Sequence, residues 1–182
     1  MDLEFIVSCA KETLLTVGEH RPVVLIEIEG EATPAICSFA DFPFTTTEGR
    51  EKGMFVAGRR FARKHRKHLK GHAVSHLAFA CEGWGRAVSP GTPFVRPSQA
   101  ADRKEVLIVV LLDVRTMQQQ SMMYEMVRTS DALDLLSMGM PDGTKSSLLP
   151  AFLVGLQTAQ QDEGMARARL RRVCKEYGVY AS

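Results

Sequence analysis

The sequence predicts an α+β protein. It expects an antiparallel sheet of about five strands with helices packed on one face, in the order α-β-β-α-β-β-β-α-α. Three observations carry this. Segments with strand periodicity come in pairs joined by short turns, the pattern of antiparallel hairpins. One of them, "KEVLIVVLLDV", is a near-continuous apolar run and belongs in the middle of a sheet covered on at least one face. Four longer segments repeat their apolar residues at helical spacing and so need a sheet to lie against.

Residues 3–17 form the first expected helix: Phe5, Cys9 and Val17 recur at helical spacing with Ile6, Leu14 and Leu15 near them, and Gly18 stops it. In "RPVVLIEIEG", Val24, Ile26 and Ile28 alternate with Leu25, Glu27 and Glu29, which is strand period. A turn at Gly30-Glu31 leads into "ATPAICSFA" as the returning strand, and Pro34 moves that strand to an edge. "DFPFTTTEGR" is a loop in which one of Thr45 to Thr47 caps the next helix.

That helix, 47–70, carries four of the five histidines in or just beyond it. At about 100° per residue, Met54, Phe55, Ala57, Gly58, Phe61, Ala62 and Leu69 share one side. Arg59, Arg60, Arg63, Lys64, Arg66, Lys67 and Lys70 share the other, with no acid among residues 59–70. His65 falls mid-stripe on the apolar side, so it is expected to face the interior, and His68 falls on its border. Gly71 ends the helix, and His72 and His76 belong to the strand "HAVSHLAFACEGW".

"GWGRAVSPGTPFVRPSQAADR" reads as a long loop. After the apolar strand, "MQQQ" turns into "SMMYEMVRT", which pairs back as a hairpin. No element is assigned between Thr129 and Leu136. "SMGMPDGTK" is a loop with a Pro-Asp-Gly turn. Two helices close the chain: 147–160 behind Ser146 or Ser147, and 162–177 behind Asp162. The reading is one domain, 1–182, with 147–182 a helical pair.

Composition narrows the function classes. The 182 residues are 45% hydrophobic and 24% charged, as in ordinary globular proteins. Net charge is +2, so any basic character is local. Cys9, Cys37, Cys81 and Cys174 are far apart and read as reduced core residues, which with the absence of an N-terminal signal pattern points to the cytoplasm. The longest strongly apolar run, Val106 to Leu112, is too short to span a bilayer, so no membrane is expected.

Several constellations have to be weighed. Structural zinc needs about four converging ligands. His65 and His68 stand one turn apart, but no second tight pair follows, so neither a metal nor a cofactor is expected. The cationic face built by Arg59, Arg60, Arg63, Lys64, Arg66, Lys67 and Lys70 can bind phosphates. It carries no interleaved aromatics for base stacking, so nucleic acid ranks second among the partners. No nucleophile elbow, zinc-protease helix, Walker loop or dinucleotide fingerprint is present, and no catalytic residue is assigned. Glu82, Trp84, Arg86, Arg103 and Glu105 surround the long loop and hold the single tryptophan. They read either as a core plug with Arg103 paired to Glu82 or Glu105, or as a ligand site at the sheet end.

A strand ending in Glu82-x-Trp84, a loop with "RPSQAADR" and "KEVL" opening an apolar strand resembles a group of uncharacterised bacterial and phage-type proteins, a domain of unknown function. The resemblance covers roughly residues 20–130. It implies the fold and a bacterial cytoplasmic origin, and no activity.

The methionines Met117, Met122, Met123, Met126, Met138 and Met140 crowd one stretch, and helix 147–160 is apolar nearly all round. The excess apolar surface predicts a homodimer through that helix, the 117–127 region, or both. The first expectation is thus a non-enzymatic protein acting through protein contacts. Nucleic-acid association through helix 47–70 is the alternative, and a ligand or enzyme site at 82–105 the third.

Overall fold

The computed structural model describes residues 1–39, 47–85, 99–129, 132–138 and 146–176. It is α+β, and its strands are β1 (Val23–Ile28), β2 (Ala35–Ser38), β3 (Val74–Gly85), β4 (Lys104–Asp113), β5 (Gln119–Arg128) and β6 (Leu133–Ser137). They form one antiparallel sheet in the order β2-β1-β3-β4-β5-β6. The helices are α1 (Leu3–Val17), α2 (Thr47–Lys64), α3 (Arg66–Leu69), α4 (Leu148–Gln157) and α5 (Glu163–Glu176). The predicted order of elements is reproduced, with six strands instead of five. The added strand, β6, is five residues long and alternates, Leu133 and Leu135 turning inward while Asp134 and Leu136 stay exposed. The turn residues 40–46, most of the long loop (86–98) and residues 139–145 and 177–182 lie outside the described residues, and with them Thr45, Thr46, Met140 and the Pro-Asp-Gly turn.

The helices lie on both faces, not one. Side-chain alternation on the strands explains how a six-stranded sheet supports this. On β1, Val24, Ile26 and Ile28 face α2 and α4, while Leu25 faces α1. On β3, Leu77 and Phe79 face the first pair, and Ala78 and Ala80 face α1. On β4, Val110 and Leu112 go one way and Leu107, Val109 and Leu111 the other. That is why its apolar run is unbroken: β4 has hydrogen-bonded neighbours on both sides and helices above and below.

Under one face α2 and α4 cross at van der Waals contact of their backbones. A Cβ on Gly58 would stand 2.1 Å from the Phe152 carbonyl oxygen, and one on Gly155 would stand 2.1 Å from that of Phe55. The two helices meet through the same pattern, Phe-x-x-Gly at 55–58 and at 152–155. The phenylalanines fill the space beside the crossing, and Phe152 meets Phe39 edge-on, centroids 6.2 Å apart. Glu51 is fully buried at the start of α4 and accepts the Ser147 hydroxyl at 2.6 Å. Ser147 thus stands at the cap position but spends its hydroxyl on α2. Asp162 caps α5 as expected, accepting from the Met165 N–H at 3.0 Å. α5 leans on α4 with Ala166, Leu170 and Cys174 inward. Seven consecutive residues of α4, Leu149 to Gly155, are buried within its own chain. The all-round apolarity of this helix is therefore used internally, and no second copy is needed to cover it.

The predicted helix 47–70 is interrupted at His65. The break is one residue wide, since the His65 N–H still reaches the Phe61 carbonyl (2.8 Å) and the Leu69 N–H reaches that of His65 (3.0 Å). Gly71, at φ 87°, then turns the chain towards β3.

Candidate functional site

On the opposite face a single helix does the covering. Ile6, Ala10 and Leu14 of α1 point down onto β3, β4 and the β5–β6 side. Phe5, Cys9, Thr13 and Val17, each four residues on from the last, form a second stripe along the flank. This flank looks across the β1–β2 end of the sheet, where Val23, Leu25 and Ile36 stand on the same face. Between them lies a cleft of about 470 Å³. Its walls are mostly carbon, and Phe5, Val17 and Ile36 remain 43%, 63% and 65% exposed along it.

The lining of the cleft also includes the polar Glu19, His20 and Arg21. Gly18, at φ 83°, ends α1 and sends the chain into Glu19-His20-Arg21. Glu19 and Arg21 form an exposed pair, 3.0 Å apart. His20 between them is buried, and its Nδ1 has no hydrogen-bond partner among the described residues. Burial holds the imidazole below its ordinary pKa of 6.5, against the opposing charge of Glu82 and nearby backbone groups. Its backbone N–H donates to the Glu82 carboxylate.

Glu82 links the cleft to the sheet-end cluster expected from the sequence. Arg128 of β5 reaches Glu82 at 3.6 Å and Glu105 at 3.1 Å, and it donates to the Gly18 carbonyl at 3.1 Å. One guanidinium thus fastens the end of α1 to β3 and β4. Trp84 stands opposite Glu105 across the β3–β4 ladder and is 43% exposed, with the Arg103 guanidinium 4.5 Å over its ring. So Glu82 and Glu105 converge on Arg128, and the Arg103 guanidinium stacks on Trp84. Trp84 is half exposed and does not plug the core. Arg86 lies outside the described residues.

Sequence reasoning missed Arg128, His20 and the cleft itself. Arg128 closes its contacts across three strands, which no local spacing announces. His20 is the one histidine outside the 65–76 cluster, and that isolation was its only signal.

The basic helix needs one correction. Arg59 is buried, not part of the cationic surface: it pairs with Glu163, donates to the Gln161 carbonyl at 2.9 Å and lies over the Phe55 ring. It follows Phe55 by four positions, at the border of the apolar stripe, where the α4–α5 turn arrives to receive it. Arg60, Arg63, Lys64, Arg66, Lys67 and Lys70 are exposed. His65 is half-buried and stacks on Phe61 with centroids 4.3 Å apart. His72 stands before β3 and contacts the Glu29 carbonyl, and His76 meets Glu27 at 2.6 Å. His65 and His68 lie near each other, ring centroids 6.3 Å apart, while His72 and His76 serve separate contacts with β1 and its turn. Among the described residues no three His, Cys, Asp or Glu side chains converge on a point that could hold a metal ion. Burial raises the Cys37 thiol to about 11 and the Cys81 thiol to about 12, which leaves both as packing residues. No described helix is long and apolar enough to cross a membrane.

Compared with known proteins, the chain matches no family model, no curated protein and no solved structure.

Proposed function

We propose that the protein works by binding, and that its occupant is a small, largely apolar molecule held between α1 and the β1–β2 end of the sheet. One observation carries this: a concave cleft of about 470 Å³ whose lining, from Phe5, Val17, Leu25 and Ile36 among others, is mostly carbon. Small-molecule sites have this size and this composition, mostly carbon with a few placed polar groups. The hollow shape also argues against a second copy at this place. A two-fold axis would set the same hollow against itself. The third of the sequence expectations, ligand binding near Glu82, is thereby preferred, with the site moved to the α1 side of that residue.

The test is titration with the uncharged fluorophore N-phenyl-1-naphthylamine. Saturable binding at one site per chain is expected, weakened by about ten-fold or more in Thr13→Trp, whose ring would fill the cleft from exposed helix surface. An unchanged affinity in Thr13→Trp, with its melting curve also unchanged, would sink the reading.

A second reading, homodimerisation, has its own observation. On the face away from α1, Met123 and Val127 are half-buried and Leu136 on the edge strand is 53% exposed. Neither β5 nor β6 gives a described buried side chain to the core beneath α2 and α4. The proposed dimer therefore pairs β6 edges across a two-fold axis and no longer involves α4. Light scattering at micromolar concentration tests it, with a monomer mass as the refuting result. A reducing, cytoplasmic location belongs to the same proposal and is supported by Cys9, Cys37 and Cys81, which form no disulfide.

A further inference from the structure

We infer that the protein has a second binding surface, on the far side of the sheet from the cleft, and that its partner is double-helical nucleic acid held through its phosphates without regard to sequence. The surface runs over the last turns of α2, the break at His65 and α3. Arg60, Arg63, Lys64, Arg66, Lys67 and Lys70 are all exposed along it. They span about 15 Å, a length over which a duplex presents about nine phosphates on its two strands.

Folding leaves this charge unneutralised. Between residues 59 and 70 stand seven Lys and Arg and no acid. The other 170 residues hold 16 Lys and Arg against 21 Asp and Glu, so the positive balance of the chain is concentrated here. Folding brings Glu163 to this side, but the buried Arg59 takes it from within and Arg167 stands 3.4 Å from it. None of the six exposed cations makes an ion pair among the described residues. Arg63 donates to the Ala159 carbonyl, at 3.4 Å. The helix dipole favours cations in the last turn of α2, where Arg63 and Lys64 stand, and does not account for the other four.

What lies between the cations selects the partner. Phe61 is buried, and residues 59–70 hold no other Phe, Tyr or Trp, so the unstacked bases of a single strand find no platform. A helix that lies on a membrane inserts its apolar face, and that of α2 is already in the core with Leu69 packed against it. A protein partner would call for an apolar centre with few charges, which this surface also lacks. A duplex backbone asks only for cations. Three of the six are arginines, whose planar fork takes a phosphate through two hydrogen bonds.

The experiment follows fluorescence anisotropy of labelled probes with the full chain: DNA duplexes of two unrelated sequences, an RNA duplex and a thymidylate single strand, each about 20 nucleotides long, over a range of salt. Vesicles containing phosphatidylserine are tested alongside by co-sedimentation. The two DNA duplexes should bind within about two-fold of each other, in the micromolar range at about 50 mM salt, and more tightly than the single strand. The logarithm of the binding constant should fall with that of the salt concentration at a slope of about −3 to −5. Arg60→Gln/Lys64→Gln/Lys67→Gln changes exposed positions only, and should weaken duplex binding by about ten-fold or more and flatten the slope by about two to three. Lys11→Gln/Arg21→Gln/Lys104→Gln removes the same charge from α1 and from the end of the sheet opposite α3, and should change binding by no more than about two-fold. Equal binding of the DNA and RNA duplexes means that the phosphates alone are read, and a preference names which duplex is the partner. Absence of duplex binding at low salt, tighter binding of the single strand, binding of vesicles in place of duplexes, or an equal loss in the two triple variants overturns the inference. The cleft reading stands apart from each of these outcomes.

Discussion

The two faces of the sheet are built by opposite rules. Over β1, β3 and β4 the face under α2 and α4 is closed, although the same face stays uncovered at β5 and β6: two helices cross with glycine against carbonyl, and Phe39, Met54, Leu77, Leu149 and Phe152 are each 1% exposed or less. Over the other face one helix does the work of two. α1 covers the β3–β6 side and leaves the β1–β2 end open, with Phe5, Val17 and Ile36 in part exposed. Both faces are apolar, so composition does not distinguish them. The number of helices available does, and the shortfall makes the cleft. The closed face supplies the stability that permits the open one.

Four substitutions or conditions would break or sharpen this contrast. The largest effect should come from Phe152→Ala, which empties the closed core and is expected to cost about 3–5 kcal/mol in urea unfolding. A loss no greater than that of Phe5→Ala on the open face would mean that the faces do not differ. Gly58→Ala comes next. Its new methyl would stand 2.1 Å from a backbone oxygen that cannot rotate away, so α2 and α4 must separate. An expected loss of about 2–3 kcal/mol, despite alanine's better helix propensity, is the measurable sign of the crossing. A neutral or stabilising result would show that the helices pass further apart.

The pH effect is smaller and belongs to the open face. The folded pKa of His20 is lowered by burial, with Glu82 from β3 opposing and Glu19, Arg21 and, behind Glu82, Arg128 as the other charges around it. Between that lowered value and 6.5 the unfolded chain binds more protons than the folded one, so stability rises with pH through this window and falls on acidification. His65 is shifted in the same direction, by burial and then by Lys64 and His68. The part due to His20 is therefore the difference between the native chain and His20→Gln, which should show a shallower loss between neutral pH and the window below 6.5. Identical slopes would mean that His20 titrates normally. The smallest effect is expected for Ile36→Ser. Its side chain is 65% exposed, so stability should move by no more than about 0.5 kcal/mol, while affinity for an apolar probe drops. A loss above that range would place Ile36 in the core.

What was legible in the sequence follows the range of the forces involved. Period-2 alternation in β1 and the unbroken run in β4 are local records of burial on one face and on two, and both strands stand where they were expected. Gly18, Gly30 and Gly71 mark turns because each carries a positive φ. β6 escaped because five residues with one buried and one half-buried leucine look no different from a loop. Arg59 was placed on the wet side of its helix because charge is the stronger prior, yet Glu163 lies 104 residues away and only folding brings it there.

α1 shows the division most clearly. Its apolar periodicity was plain, but two stripes run along it, Ile6-Ala10-Leu14 and Phe5-Cys9-Thr13-Val17, one residue apart. Sequence determined that this segment is a helix with apolar surface, that the strands pair antiparallel and that β4 is central, since each depends on neighbours within a few residues. Which stripe meets the sheet, which face of the sheet α1 takes, and whether His20 ends beside Glu82 were decided only by tertiary structure. Those outcomes depend on the order of the strands and on how many helices fit each face, and burial energy, being proportional to area, does not say where the area should go.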